Sequence, residues 1–279
     1  MKKKVIAILL FSVLALSIVS ASGRAAGATS TEPVKQTELI VFAAASMTET
    51  LNAISGLYAK VAPNVKLVFN FDSSGTLKTQ IQQGADCDLF ISAGQRQVDQ
   101  LDITAPATVN TEKLDFVLTS SRLNLLENRV TLVVPKGNPK NIRNFGSMAD
   151  AINRGQILLA MGNSDVPVGQ YTQDILKYFK LDEKALATAG RISYGSNVKE
   201  VTTQVSEASV DCGIIYCTDA FSAGLDVVDY ATTDMCGRVI YPAAVLKTGK
   251  NQEAAQAFLN YLSTRDAMAV FEKVGFSKP

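Results

Sequence analysis

The chain contains no histidine and no tryptophan among its 279 residues. Without histidine, Ser-His-Asp and Cys-His catalytic arrangements are excluded, and so are histidine-containing metal sites. The 27 basic and 26 acidic residues leave a net charge of +1, which gives no broad field to attract nucleic acid or an anionic membrane. Any anion that this chain binds must therefore be held by local groups rather than by overall charge.

Cysteine is also scarce, and the four present are Cys87, Cys212, Cys217 and Cys236. Cys212 and Cys217 lie on a strand-like run at an odd spacing, so their side chains point to opposite faces and should not pair. Cys236 could form a disulfide with either one if the protein is exported. The alternative is that all four are small buried residues. Neither the spacing nor any histidine supports zinc, so we expect no bound metal cation.

Residues 1–28 are predicted to be a secretory signal peptide and leader. Lysines precede an uncharged run from Val5 to Gly23, and small residues follow it, which is the pattern of a secretory signal. The run is just long enough to span a bilayer, so a membrane anchor is the alternative. Small residues favour cleavage instead, after Ala21 or Ala28, and no cysteine near the junction supports lipid attachment. We expect export to the periplasm or the outer face of the cytoplasmic membrane.

An early stretch repeats the order of strand, hydroxyl-containing turn and helix. Two apolar runs are each followed by serine: Leu39–Ala44 by Ser46, and Lys66–Phe71 by Ser73 and Ser74. In a parallel sheet with helical crossovers, both turns lie at the same sheet edge. The helix N-termini then face one crevice with unpaired N–H groups, which can bind an anion. Each serine taken alone is more simply explained as a helix cap, and we expect Ser73 to brace its turn.

Strand-like and helical patterns alternate along the rest of the chain. They predict an α/β fold of two lobes, each an open doubly wound sheet. Two crossing strands, Val130–Val134 and Val239–Leu246, are predicted to join the lobes and to act as a hinge. We expect lobe one to comprise residues 37–129 and 247–279, and lobe two to comprise residues 130–246.

The second lobe offers three more hydrogen-bond donors. A helix that begins with proline leaves the N–H of Val168 free. A second helix is capped by Ser196 or Asn197 and leaves the N–H of Val198 free. Tyr216 ends a buried strand with its hydroxyl at the rim, although a core tyrosine would look the same.

All of these candidate groups are neutral donors. Neutral donors hold a desolvated dianion if every oxygen is satisfied, and each such bond contributes about 1.5–3 kcal/mol. They cannot accept a proton, so they disfavour an anion that carries one, such as hydrogen phosphate. The donor set therefore favours a fully ionised tetrahedral oxyanion: molybdate, tungstate or sulfate.

Six segments between residues 38 and 276 resemble the periplasmic molybdate-binding proteins of ABC importers: FAAASMTETL, FNFDSSGTLKTQIQQGADCDLFISA, VPVGQY, SNVKEV, GIIYCTDA and FEKVGF. The resemblance implies a hinged, two-lobed class II binding protein that delivers molybdate, and tungstate, to a membrane permease. It implies no catalysis and no cofactor, and we expect a monomer. Carried over residue by residue, the oxyanion ligands are Ser46, Ser74, the backbone of Val168 and Val198, and the hydroxyl of Tyr216. Val168 stands where the family often has alanine.

Three other functions are weighed against this one. A binder of another tetrahedral oxyanion, such as sulfate, would use the same donors. A secreted hydrolase could use Ser46 or Ser74 as its nucleophile, but the sequence has neither a histidine nor an S-x-x-K pattern at either serine to supply a base. A detached effector-sensing domain is disfavoured by the predicted signal peptide.

Overall fold

Residues 36–279 form two five-stranded sheets with helices packed against them, as described by a computed structural model. The predicted signal peptide and leader, residues 1–28, lie outside the described residues. The first lobe is built on the first sheet and the second lobe on the second sheet. This arrangement confirms the predicted two-lobed α/β fold class.

The first sheet has the strand order β2-β1-β3-β10-β4. Its strands are β1 (Thr37–Ala44), β2 (Val65–Asp72), β3 (Leu89–Ile91), β4 (Leu123–Asn128) and β10 (Val239–Val245). β1 pairs in parallel with β2 and β3, whereas β10 runs antiparallel to β3 and β4. Leu39 and Val41 face one apolar cluster and Phe42 faces another, so both faces of this sheet are covered, as is usual for parallel strands.

The second sheet has the strand order β7-β6-β8-β5-β9. Its strands are β5 (Val130–Val134), β6 (Leu159–Gly162), β7 (Ile192–Gly195), β8 (Cys212–Tyr216) and β9 (Asp226–Tyr230). Every residue of β5, β6 and β8 is buried, which explains why these runs are apolar without alternation.

Helices connect the strands in both lobes. They are α1 (Thr48–Val61), α2 (Ser74–Gln82), α3 (Gln95–Asp99), α4 (Phe145–Asn153), α5 (Pro167–Tyr178), α6 (Glu183–Thr188), α7 (Val198–Ser206), α8 (Cys217–Ala223), α9 (Thr233–Cys236), α10 (Gln252–Leu262) and α11 (Arg265–Val274). Two 3-10 segments, Ala45–Met47 and Thr119–Ser121, precede α1 and β4.

One predicted crossing strand lies elsewhere than expected. We assigned Val239–Leu246 to lobe two, but Val239–Val245 pairs with strands on both sides within the first sheet. The chain instead crosses between β4 and β5, through Arg129, and again in the connection from β9 to β10. The apolar pattern identifies a buried strand but not its partners, which lie more than a hundred residues earlier in the chain. The predicted limit at 246–247 therefore moves to a point before β10, whereas the limit at 129–130 stays a prediction.

The four cysteines are buried and free of disulfides. Burial raises the pKa of the Cys87 and Cys212 thiols, so both stay protonated and behave as small apolar groups. This matches the alternative in which all four are core residues.

Candidate functional site

The two serine turns lie side by side at one edge of the first sheet. Ala44, the last residue of β1, pairs in register with Asp72, the last residue of β2. Ser46 follows in the 3-10 segment before α1, and Ser74 is the first residue of α2. Two local patterns and the parallel crossover rule are enough to predict this juxtaposition.

A small cavity lies where this edge meets the second lobe. It is lined by Ala44, Ala45, Ser46, Asp72, Ser73, Ser74, Ala93, Val166, Pro167, Val198 and Tyr216. The volume of this cavity is about 10 Å³. Sites for drug-sized ligands occupy about 300–1,000 Å³, so this cavity suits only a small guest.

Four of the five predicted site residues line the cavity: Ser46, Ser74, Val198 and Tyr216. The fifth, Val168, is fully buried one residue beyond the lining Pro167, in the first turn of α5. Within residues 36–279, the N–H groups of Val168 and Val198 make no hydrogen bond. Both belong to first turns, which have no acceptor inside the helix, so each stays available as a donor.

Of the three serines that line the cavity, Ser46 and Ser74 are not helix caps. Ser74 Oγ accepts a hydrogen bond from the Ala93 N–H at 2.9 Å. Ser46 Oγ lies 2.9 Å from the hydroxyl of Tyr241. By contrast, Ser73 caps α2 by accepting from the Thr76 N–H at 3.1 Å, as its position in the turn predicts. The capping explanation therefore holds for Ser73 and fails for Ser46 and Ser74.

The helix start beside Val198 has the predicted cap. Asn197 Oδ1 accepts from the Glu200 N–H at 3.1 Å, so Asn197 rather than Ser196 is the N-cap. Glu200 reaches back to the Ser196 N–H and hydroxyl at 2.7 and 2.8 Å. This local bracing fixes the first turn of α7 against the cavity.

Tyr216 presents a buried hydroxyl with no partner. Its ring is 1% exposed, and in the described part of the chain no group accepts from or donates to its oxygen. Burial raises its pKa well above the ordinary value, so the phenol keeps its proton. A buried hydroxyl without a partner costs about 1–3 kcal/mol, and a ligand oxygen in the cavity would recover that loss.

Tyr241 is a neighbour of the site that the sequence analysis missed. It lies in β10, is fully buried, and packs edge-on against Tyr216 with ring centroids 5.7 Å apart. The run RVIYPAAVL predicts a buried strand, and within it the tyrosine is indistinguishable from a core residue. No local signal marks it, because its partner Ser46 lies 195 positions away in the chain.

Among the residues that the structure describes, none that line the cavity is lysine or arginine. Its one acidic residue, Asp72, has Oδ1 occupied by the Ser73 N–H at 2.7 Å and the Asn197 Nδ2 at 3.3 Å. The nearby cation Lys199 is paired with Glu49 and Asp219. Within residues 36–279, no base is positioned to activate Ser46 or Ser74, whereas neutral donors converge from both lobes. The arrangement is therefore suited to binding an anion rather than to hydrolysis.

Two absences apply to the described residues. Between residues 36 and 279, no three Cys, Asp or Glu side chains are grouped so that they could hold a metal ion. In the same range, no helix combines the length and the apolar character needed to cross a membrane.

Comparison with curated proteins gives relatives over most of the chain. It is 32% identical over 262 residues to a Bacillus subtilis protein, YvgL, which bears the provisional name of ABC transporter substrate-binding lipoprotein; the match covers 92% of each chain. It is 31% identical over 244 residues to the molybdate-binding protein ModA of Haemophilus influenzae, covering 86% of this chain and 90% of that one. These identities confirm the resemblance predicted from the six segments.

Solved structures show the same fold. The periplasmic molybdate-binding protein of Azotobacter vinelandii superposes with a TM-score of 0.73 at 22% identity, over 86% of this chain and 99% of that one. The sulfate-binding protein SubI of Mycobacterium tuberculosis superposes with a TM-score of 0.68 at 18% identity, over 86% of each chain. Residues 39–277 match the family described as bacterial extracellular solute-binding protein. The chain therefore belongs to this family, whose members bind solutes for ABC transporters rather than catalyse reactions.

Proposed function

We propose that this protein captures molybdate, and tungstate, in the cavity between its lobes and delivers it to the membrane permease of an ABC importer. The observation that carries the proposal is the set of neutral donors at one small cavity: the hydroxyls of Ser46, Ser74 and Tyr216, the N–H group of Val198, and the N–H group of Val168 one residue beyond the cavity wall. Relatives named for molybdate binding support this choice of ligand. We propose the periplasm or the outer face of the cytoplasmic membrane as its place of action.

The energetics of such a site are favourable. A hydrogen bond to a charged oxygen contributes about 1.5–3 kcal/mol net. Five donors therefore supply about 7–15 kcal/mol by that principle, against the ~8 kcal/mol that corresponds to micromolar affinity. Lobe closure and side-chain ordering consume part of this sum. No cation is needed for tight binding.

Sulfate is the second candidate, because the fold is shared with a sulfate-binding protein. Both ions are fully ionised at neutral pH, so the donor set accepts either, and the distinction depends on cavity size. Calorimetric titration of the purified protein with molybdate, tungstate and sulfate separates the two candidates. We expect micromolar or tighter binding of molybdate and tungstate and no displacement by modest excess of sulfate; the opposite order would assign the protein to sulfate.

Two variants test the site itself. Tyr216→Phe removes one donor hydroxyl, and we expect molybdate affinity to fall about 10- to 150-fold, the equivalent of one hydrogen bond to a charged oxygen. Tyr171→Phe is the matched control, because Tyr171 packs edge-on against Tyr216 at 6.4 Å without lining the cavity. Equal affinities in the two variants would remove Tyr216 from the site.

A further inference from the structure

A chain of hydrogen bonds runs behind Ser46, away from the cavity. Asn128 Nδ2 lies 3.2 Å from the Tyr241 hydroxyl, and the Tyr241 hydroxyl lies 2.9 Å from Ser46 Oγ. All three residues are at most 4% exposed. Asn128 ends β4, Tyr241 lies in β10, and Ser46 follows β1, so three separate segments of the first lobe converge on this chain.

The contacts of Asn128 determine which groups donate and which accept in this series of hydrogen bonds. Asn128 Oδ1 receives the Arg129 N–H at 2.8 Å and the Cys217 thiol at 3.2 Å. A backbone N–H can only donate, so this atom must be the amide oxygen. The amide nitrogen then points the other way, and its two protons go to Thr218 Oγ1 at 3.0 Å and to the Tyr241 hydroxyl at 3.2 Å.

The orientation of the Asn128 amide also determines the donor and acceptor roles of Tyr241 and Ser46. Because Asn128 Nδ2 has no lone pair to offer, the Tyr241 oxygen accepts from it. Among the described residues, the other atom within hydrogen-bond distance of the Tyr241 oxygen is Ser46 Oγ, 2.9 Å away, so Ser46 is the acceptor that remains for the single phenolic proton. Ser46 therefore accepts on the side of Tyr241, and its own hydroxyl proton is free to point into the cavity that it lines.

Ser74 is also held as a hydrogen-bond donor toward the cavity, in this case by a single backbone N–H group. Its Oγ accepts from the Ala93 N–H at 2.9 Å, and that group cannot reverse its role. Its hydroxyl proton is likewise left for the cavity. Both serines are thus prepared as donors before any ligand binds, one by a backbone N–H and the other by a relay of two side chains.

We propose that Asn128 and Tyr241 are positioning residues that hold Ser46 as a hydrogen-bond donor and so make the site specific for fully deprotonated oxyanions. The inference rests on the proposed function, because it assigns a role in binding the same ligand. Hydrogen phosphate carries a proton that needs an acceptor, and a serine oxygen already occupied by Tyr241 is poorly placed to supply one. Without the phenol, Ser46 can turn and accept.

The test is a double-mutant cycle with two anions. Wild type, Tyr241→Phe, Ser46→Ala and the double variant are titrated with molybdate and with inorganic phosphate at pH 7. We expect Tyr241→Phe to weaken molybdate binding about 3- to 10-fold, the scale of one neutral hydrogen bond, and to narrow the preference for molybdate over phosphate. In the Ser46→Ala background, we expect Tyr241→Phe to change neither quantity, because its effect passes through Ser46.

A matched control separates positioning from general loss of packing. Tyr58 is a buried tyrosine of the same lobe that packs on Phe258 at 4.8 Å, so Tyr58→Phe should leave both affinities unchanged. If Tyr241→Phe fails to fold, Asn128→Ala takes its place in the cycle, since it removes the donor that fixes the Tyr241 proton.

The possible outcomes test the positioning role and the proposed function separately. A wild type that binds molybdate, together with additive effects in the cycle or an unchanged molybdate-to-phosphate preference in Tyr241→Phe, overturns the positioning role alone. A wild type that does not bind molybdate overturns the proposed function and the positioning role together. Non-additive effects with a narrowed preference support both.

Discussion

Lys199 of the second lobe forms an ion pair with Glu49 of the first, with Nζ and Oε2 2.8 Å apart. Lys199 is the second residue of α7 and Glu49 the second residue of α1, so the pair spans the two lobes close to the cavity. The same ammonium lies 3.0 Å from Oδ1 of the fully buried Asp219. One cation thus serves a partly exposed partner across the lobes and a buried partner within its own lobe.

Glu49→Gln should weaken ligand binding slightly without affecting folding. The substitution removes the ion pair between the lobes and leaves the Lys199–Asp219 pair intact. Glu49 and Lys199 are half and one-third exposed, and such pairs contribute about 0–1 kcal/mol. We expect at most about a fivefold loss of molybdate affinity, measured by calorimetry, and an unchanged free energy of unfolding in the ligand-free protein. A large fall in the free energy of unfolding of the ligand-free variant would contradict this prediction, because it would show that the ion pair also stabilises the protein without ligand.

Lys199→Met should instead destabilise the fold. It leaves the Asp219 carboxylate buried without a partner, which costs about 3–5 kcal/mol if the charge is retained. Protonation of Asp219 limits the loss, so we expect about 2–3 kcal/mol at neutral pH, measured by urea unfolding. Adding Asp219→Asn should restore most of the lost stability. If the double variant is as unstable as Lys199→Met alone, the cause lies in packing rather than in the unpaired charge.

The pH dependence of stability should carry the signature of Asp219. Burial raises its pKa to about 6, against the opposing effect of Lys199. A carboxyl with a raised pKa binds its proton more tightly in the folded state than in the unfolded state. Its stabilisation of the folded state is therefore largest below about pH 4 and is lost as pH rises through about 6. Urea unfolding between pH 4 and 7 should therefore show a steeper fall of stability with pH in the wild type than in Asp219→Asn. The change in the free energy of unfolding between pH 4 and 7 should differ between the two proteins by at most about 3 kcal/mol. Superimposable profiles would contradict a raised pKa for Asp219.

Gly75→Ala should block closure of the lobes. A Cβ at residue 75 would lie 2.1 Å from the backbone oxygen of Asp165, which belongs to the other lobe. The clash is with main chain, so no side-chain rotation relieves it, and we expect molybdate affinity to fall more than about tenfold, since strain of this kind costs about 1–3 kcal/mol. Gly56→Ala in α1 is the control, because a Cβ there meets nothing within 4 Å. Equal affinities for the two variants would contradict a closed-lobe ligand complex.

Much of the site could be predicted because its parts are local. Ser46 and Ser74 each follow an apolar strand and precede a helix, and the parallel crossover rule brings such turns together. Ser73, one residue away, has the same chemistry and caps a helix instead. The strand–serine–helix pattern identifies Ser46 and Ser74 as candidates. It does not predict which serine oxygen caps the helix and which faces the cavity, because that depends on the turn geometry.

The rest of the site could not be predicted because it depends on distant pairings. Tyr241 meets Ser46 only because β10 joins the first sheet beside β3 and β4. β4 has the sequence LNLLEN, which does not alternate regularly between apolar and polar residues, and this strand is stabilised by antiparallel pairing with β10. The ion pair between Lys199 and Glu49 joins residues 150 positions apart. Hydrophobic periodicity reports which face is buried, not which strand or helix lies opposite.

The most direct test of the central claim is anomalous diffraction from crystals grown with tungstate, which locates the heavy atom without assumption about the ligand's pose. The account predicts one strong tungsten peak inside the cavity, with its oxygens within hydrogen-bonding distance of the Ser46, Ser74 and Tyr216 hydroxyls and of the Val168 and Val198 N–H groups. A peak at another position, or an empty cavity at saturating tungstate, would contradict it.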